Sequence, residues 1–205
     1  IEEQKSEKLT MAADRIKYKY WGEDFRRIVF HSREIGRREN SFSLLKDPSI
    51  EQCFHKDLFH FLNGNPFRCI IVSVDKRKVK RLGWTVKDIY KRSTDAMLQS
   101  FIAFLHQKKG KGRIIIESAG TEKDIIFYKN YVSYLAQGMV SLGLTHKDTK
   151  NILTSISFVS KNNFDIETQI ADLLAYTAGH TCMTSEGIKD TIPNSYEDQM
   201  CRILQ

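Results

Sequence analysis

Glu117 directly follows Arg113-Ile114-Ile115-Ile116, and Asp75 directly follows Ile71-Val72-Ser73-Val74. If both apolar runs are strands of an open α/β sheet, both carboxylates emerge at carboxyl ends, where the ligands of such sheets collect. Taken singly, each acid is more simply a strand ending where the sequence turns polar. Asp172 carries more information. From Asp165 to Thr177, helical spacing puts Ile166, Ile170, Leu173, Leu174 and Thr177 on a core stripe, with Asp165, Thr168, Gln169, Asp172 and Tyr176 along an adjoining polar edge. Asp172 is flanked by Ile170, Ala171, Leu173 and Leu174. A carboxylate on such a border needs a partner, because burying an unpaired charge is expensive. Its plain alternative is a solvent-facing Asp on an amphipathic helix.

Carboxylates at a strand end and on a later helix suit a hard divalent cation. Magnesium, or manganese in its place, takes oxygen ligands and commonly one or two carboxylates. Two such ions about 4 Å apart stabilise both the attacking and the leaving oxygen of a phosphodiester. Glu117 and Asp172 are therefore the candidate metal ligands and catalytic acids, although such sites normally use more than two. Asp75 is a further candidate. Asp124, in the first turn of the helix after Glu117, is either another ligand or an N-terminal cap or dipole partner.

The charge distribution points to a phosphate-bearing partner. Lys76, Arg77, Lys78, Lys80, Arg81, Lys87, Lys91 and Arg92 are opposed between positions 76 and 92 only by Asp88. That segment alone matches the +7 excess of the whole chain. Trp84 and Tyr90 interleave with it and offer stacking surfaces. Lys76, Arg77, Lys78, Lys80 and Arg81 are the candidate nucleic-acid contacts, and such contacts make affinity fall with salt. A solvated helix face is the plain alternative. Lys108, Lys109, Lys111 and Arg113 form a second basic group at the far end of the same expected helix.

With 205 residues, 41% hydrophobic, 28% charged and only 3 Pro, the chain reads as one domain spanning 1–205 rather than a disordered or fibrous segment. Its longest apolar runs are far shorter than a membrane span, and the opening Ile1-Glu2-Glu3-Gln4-Lys5 is too polar for a secretory signal. Cys53, Cys69, Cys182 and Cys201 are scattered without a Cys-x-x-Cys pair, which argues against a zinc site or disulfide framework and for a reducing, cytoplasmic setting. Neither a Gly-x-Gly-x-x-Gly after a strand nor a P-loop occurs, so dinucleotide and P-loop chemistry have no support.

The elements that must position these residues follow from periodicity. Residues 4–20 predict an amphipathic helix, Ile28-Val29-Phe30 a short strand, and Asp47-Pro48 the start of a helix that Gly64-Asn65-Pro66 stops. Phe67 to Val74 is the type of apolar run expected of a buried strand. Helices are expected over 85–106, 123–142 and 165–180, and strands over 113–117 and 152–159; residues 183–205 have no clear assignment. The alternation implies an α/β fold with crossover helices between parallel strands.

Ser160-Lys161 followed by Gln169-Ile170-Ala171-Asp172-Leu173-Leu174-Ala175 resembles the closing signature of the domain-of-unknown-function family 3800. Ile114-Ile115-Ile116-Glu117-Ser118 is similar to that family's central strand, and Phe30-His31-Ser32 to its short motif after the first helix; the resemblance spans roughly residues 5–178. It implies a ribonuclease H-like fold, a mixed central sheet flanked by helices, with acids arranged as in metal-dependent nucleases. It implies Glu117 and Asp172 as site acids, with Gln169 and Lys161 beside them, and it places His31 in a matching block. The family usually opens on a strand bearing Asp-Glu-Ser-Gly, which this sequence lacks; Ile1 begins in what reads as the following helix. Two expectations follow: the N-terminal strands precede Ile1, which the absence of an initiator Met favours, or the protein is a degenerate, inactive member of the family that has lost a major metal ligand. The leading expectation is thus a magnesium-dependent phosphodiester hydrolase acting on nucleic acid. A non-catalytic nucleic-acid-binding or regulatory module on the same fold is the alternative.

Overall fold

A computed structural model describes residues 1–65, 67–160, 164–187, 192 and 195–204. The chain divides into two compact units, Ile1–Cys69 with Asn162–Gln205, and Ile70–Lys161.

The first unit is helical. Its elements are α1 (Glu3–Trp21), α2 (Ser32–Arg37), α3 (Pro48–Asn63), α8 (Ile166–Ser185) and α9 (Tyr196–Ile203), with 3-10 turns at Gly22–Arg27 and Asn40–Lys46. Spacing of four brings Leu9 and Ala13 inward from α1. Asp47 accepts hydrogen bonds from the backbone N–H of Ser49 at 2.8 Å and of Ile50 at 3.4 Å, and Pro48 supplies a preset first-turn φ, so α3 begins where the sequence predicts. Phe54 of α3 is fully buried and meets Phe30, Phe42, Tyr20 and Trp21 edge-on, with ring centroids 5.4–6.2 Å apart.

The second unit contains α4 (Lys76–Arg81), α5 (Val86–Lys108), β1 (Gly112–Glu117), α6 (Thr121–Gln137), α7 (His146–Ile152) and β2 (Leu153–Val159). β1 and β2 pair in parallel, with Ile114 opposite Ile156 and Glu117 opposite Val159. Parallel neighbours need a crossover, and α6 with α7 supplies it. Leu98, Ile102, Leu105, Phe127, Tyr131 and Leu153 form the apolar centre beneath these strands. The architecture is α/β in this general sense, mostly helical with one small parallel sheet.

Four expectations need correction. The mixed central sheet is, among the described residues, a pair of parallel strands. Ile28-Val29-Phe30 is extended but pairs with no described strand, since side chains of α8 take two nearby backbone N–H groups instead. Residues 67–74, read as a buried strand, carry no assigned strand, and Ile70 and Ile71 are 37% and 47% exposed. An apolar run becomes a strand only where a neighbour completes its ladder, and no described strand lies alongside this one. The helix expected over 123–142 ends earlier, at Gln137. Gly138 terminates it at φ +76°, and a Cβ built there would sit 2.3 Å from the Leu144 carbonyl oxygen. Gly138→Ala combines a left-handed φ with a backbone clash, so a loss of about 2–3 kcal/mol is expected in urea denaturation.

Candidate functional site

In the first unit, one polar junction is built on α8. Gln169 is 2% exposed, and its Oε1 accepts from the Phe30 backbone N–H and from Lys17 Nζ, each at 3.0 Å, while Nε2 donates to the Phe164 carbonyl at 3.1 Å. One turn on, Asp172 Oδ2 accepts from the Ser32 backbone N–H at 2.8 Å and stands 3.8 Å from His31 Nδ1. Ser32 opens α2, and the preceding residue gives that helix no side-chain cap. Asp172 therefore caps α2 from another helix, its negative charge facing the positive end of the α2 dipole. The partner that its apolar neighbours demand is this backbone N–H. Asp172→Ala removes the cap and is expected to cost about 1–2 kcal/mol in chemical denaturation. Asp172→Asn, which keeps an acceptor oxygen, should cost less.

Lys17 is 3% exposed, and its ammonium lies 4.9 Å from the centre of the Phe30 ring. Burial brings its pKa down to about 8, and the nearby charge of Asp14 opposes that shift. It occupies the third place of the inward stripe Leu9, Ala13, Lys17, so its burial was legible as a lysine at an apolar position; the sequence reading passed over it. Tyr196 at the start of α9 was missed as well. Its ring stacks on His55 with centroids 4.5 Å apart, and its buried hydroxyl has no partner among the described residues. Burial foremost, then the charges of Glu197 and Asp172, push that phenol upward.

The structure thus brings His31, Gln169 and Asp172 together in one unit; Lys161 lies outside the described residues. Glu117 belongs to the other unit, at the end of β1, where the following N–H of Ser118 bonds to the Val159 carbonyl at 2.9 Å. Asp124 serves its own loop: Oδ2 accepts from Ser118 Oγ at 2.5 Å and Oδ1 from the Ala119 N–H at 3.0 Å. Asp75 is the N-cap of α4, accepting from the N–H groups of Arg77 and Lys78, which hold its carboxyl below the usual range. Glu117 and Asp172 lie in separate units, and Asp172 already spends one oxygen on Ser32. No group of three His, Cys, Asp or Glu suited to a metal occurs among the described residues.

The basic segment takes a defined shape. On α4 only Val79 turns inward, at 7% exposure, and Lys76, Arg77, Lys78, Lys80 and Arg81 are all exposed. Gly83 and Trp84 lead to α5, which Thr85 and Asp88 open as a reciprocal capping box. Asp88, the only acid of the segment, is consumed there, bonding the N–H and hydroxyl of Thr85 at 2.9 and 2.6 Å. The Arg92 guanidinium lies 4.3 Å over the Trp84 ring, so one face of that indole is already covered by a planar cation. Lys108, Lys109 and Lys111 fall at the opposite end of α5, roughly 30 Å away at helical rise.

Compared with known proteins, the sequence matches no family model, no curated protein and no solved structure.

Proposed function

We propose that this protein binds single-stranded nucleic acid through the basic face formed by α4 and the first turns of α5. The carrying observation is that five cationic side chains surround one short helix, all in solvent, while the adjacent acids Asp75 and Asp88 are occupied in capping. Exposed Lys and Arg on one short helix can follow a phosphate backbone, and an Arg plane on an indole is a platform on which bases stack. The ribonuclease H-like arrangement implied by the family resemblance belongs to the same proposal. Support for it comes from the parallel pairing of β1 and β2 across their crossover helices.

Fluorescence anisotropy with labelled oligonucleotides tests the reading across a salt series. Binding should weaken linearly on logarithmic axes, with a slope of about −0.7 per phosphate contacted. Chelating divalent ions should leave affinity unchanged, and added magnesium or manganese should leave the oligonucleotide intact. Salt-insensitive or absent binding would reject the proposal. Magnesium-dependent cleavage that disappears in Asp172→Asn and in Glu117→Gln would replace it with hydrolysis.

A further inference from the structure

A polar cleft of about 500 Å³ opens between α5 and α6 in the second unit. Lys91, Arg92 and Asp95 line it from α5, and Asn130, Ser133 and Tyr134 from α6. Its floor is organised before any ligand arrives. Asp95 Oδ1 accepts from the Tyr134 hydroxyl at 2.6 Å, and Oδ2 accepts from Gln99 Nε2 at 3.0 Å. Asn130 Nδ2 donates to the Lys91 carbonyl at 2.9 Å and to Thr94 Oγ1 at 2.7 Å. Both amide hydrogens of Asn130 are therefore spent, and only its carbonyl oxygen remains. A carboxylate has about four acceptor positions, of which Asp95 uses two. Asp95 and Asn130 thus offer acceptors, Ser133 and Gln137 add a hydroxyl and an amide that can donate or accept, and Lys91 and Arg92 on the α5 wall offer cations.

A ligand matching this pattern presents hydrogen-bond donors inward and a negative charge toward Lys91 and Arg92. Arg92 also lies over Trp84, whose backbone N–H bonds back to the Val79 carbonyl of α4, so the ligand is taken as part of a strand bound along α4. We propose that the cleft receives one ribonucleotide of that strand, with its phosphate against Lys91 and Arg92 and its 2′-hydroxyl donating to Asp95 or Asn130. The 2′-hydroxyl is the group by which a protein separates RNA from DNA, and a deoxyribose would leave these acceptors without their donor. This inference rests on the strand-binding reading and adds to it a preference for RNA.

The test compares twelve-nucleotide oligo(A) with oligo(dA), identical in base and differing only in sugar. The wild-type protein should bind oligo(A) about tenfold more tightly, as the loss of one hydrogen bond dictates. In Asn130→Ala that ratio should fall toward one. Because Asn130 also bonds to α5, Ser133→Trp supplies a second variant: position 133 is exposed, and an indole there fills the cleft without entering the core. It too should abolish the ratio while lowering the salt slope by no more than about 0.7, the share of the one phosphate held in the cleft. Equal binding of the two oligomers by the wild type, or a ratio that survives Ser133→Trp, overturns the inference while strand binding stands. Failure of both oligomers to bind overturns the strand-binding reading itself.

Discussion

Reversing two charges on α4, in Lys78→Glu with Arg81→Glu, is expected to weaken oligonucleotide binding about 10²-fold at low salt. Two effects act together. Each lost cation removes one released counterion, so the slope of log affinity against log salt should fall by about 0.7 per residue on a single strand. Each introduced carboxylate also repels the phosphates that the remaining cations hold. The fold should not notice. Both side chains are exposed, α4 is anchored by Val79 and its Asp75 cap, and the 3.9 Å approach of Lys78 to Asp75 is an exposed pair of little worth. Unfolding free energy should stay within about 0.5 kcal/mol of wild type. The matching reversal of Lys108 and Lys111, at the other end of α5, is the control and should change affinity far less. If the two double variants weaken binding equally, the attraction is diffuse and α4 has no special part in it.

What was legible in the sequence follows from how local each signal is. α1, α3, α5 and α8 carry their own periodicity. The ends of α3 and α5 are also marked by Asp47-Pro48 and by Thr85 with Asp88, so neighbouring residues were enough to predict them. β1 and β2 were legible as β-branched runs after a turn or a capped helix. Residues 67–74 show the limit of that reasoning, because an apolar run is equally strand-like whether or not a neighbour exists to complete its ladder. α4 and α7 were missed for another reason: each is barely two turns long, too short for periodicity to emerge. The candidate site divides similarly. His31, Gln169 and Asp172 were singled out, and the fold does bring them together. What they bind was not legible, because the backbone N–H groups of Phe30 and Ser32 leave no mark in a sequence. The acids at 75 and 124 were recognisable as acids, but capping and metal binding draw on the same residue types.

Gln169→Leu is expected to be the most destabilising single change in the polar junction, by about 3–5 kcal/mol in chemical denaturation. Leucine fills the space but withdraws the acceptor of the Phe30 N–H and of the Lys17 ammonium at one stroke, and both are deeply buried. An unpaired ammonium in that position is the larger cost. The double variant Lys17→Met, Gln169→Leu should therefore be more stable than Gln169→Leu alone, because it leaves two neutral backbone groups, the Phe30 amide and the Phe164 carbonyl, without their partner but no buried charge. Proton linkage gives an independent check. Burial holds Lys17 near a pKa of about 8, below the ordinary lysine value, so the unfolded chain binds more protons than the folded one between pH 8 and roughly 10. Below about pH 8 the folded state carries the full penalty of a buried charge. As pH rises through that value the lysine discharges, and stability should increase. Lys17→Met should flatten this rise, and the penalty of Gln169→Leu should shrink at pH 9.5 because a neutral amine tolerates the missing acceptor better. If the Gln169→Leu penalty is the same at pH 7 and pH 9.5, and persists undiminished beside Lys17→Met, the ammonium is not what Gln169 is there to hold.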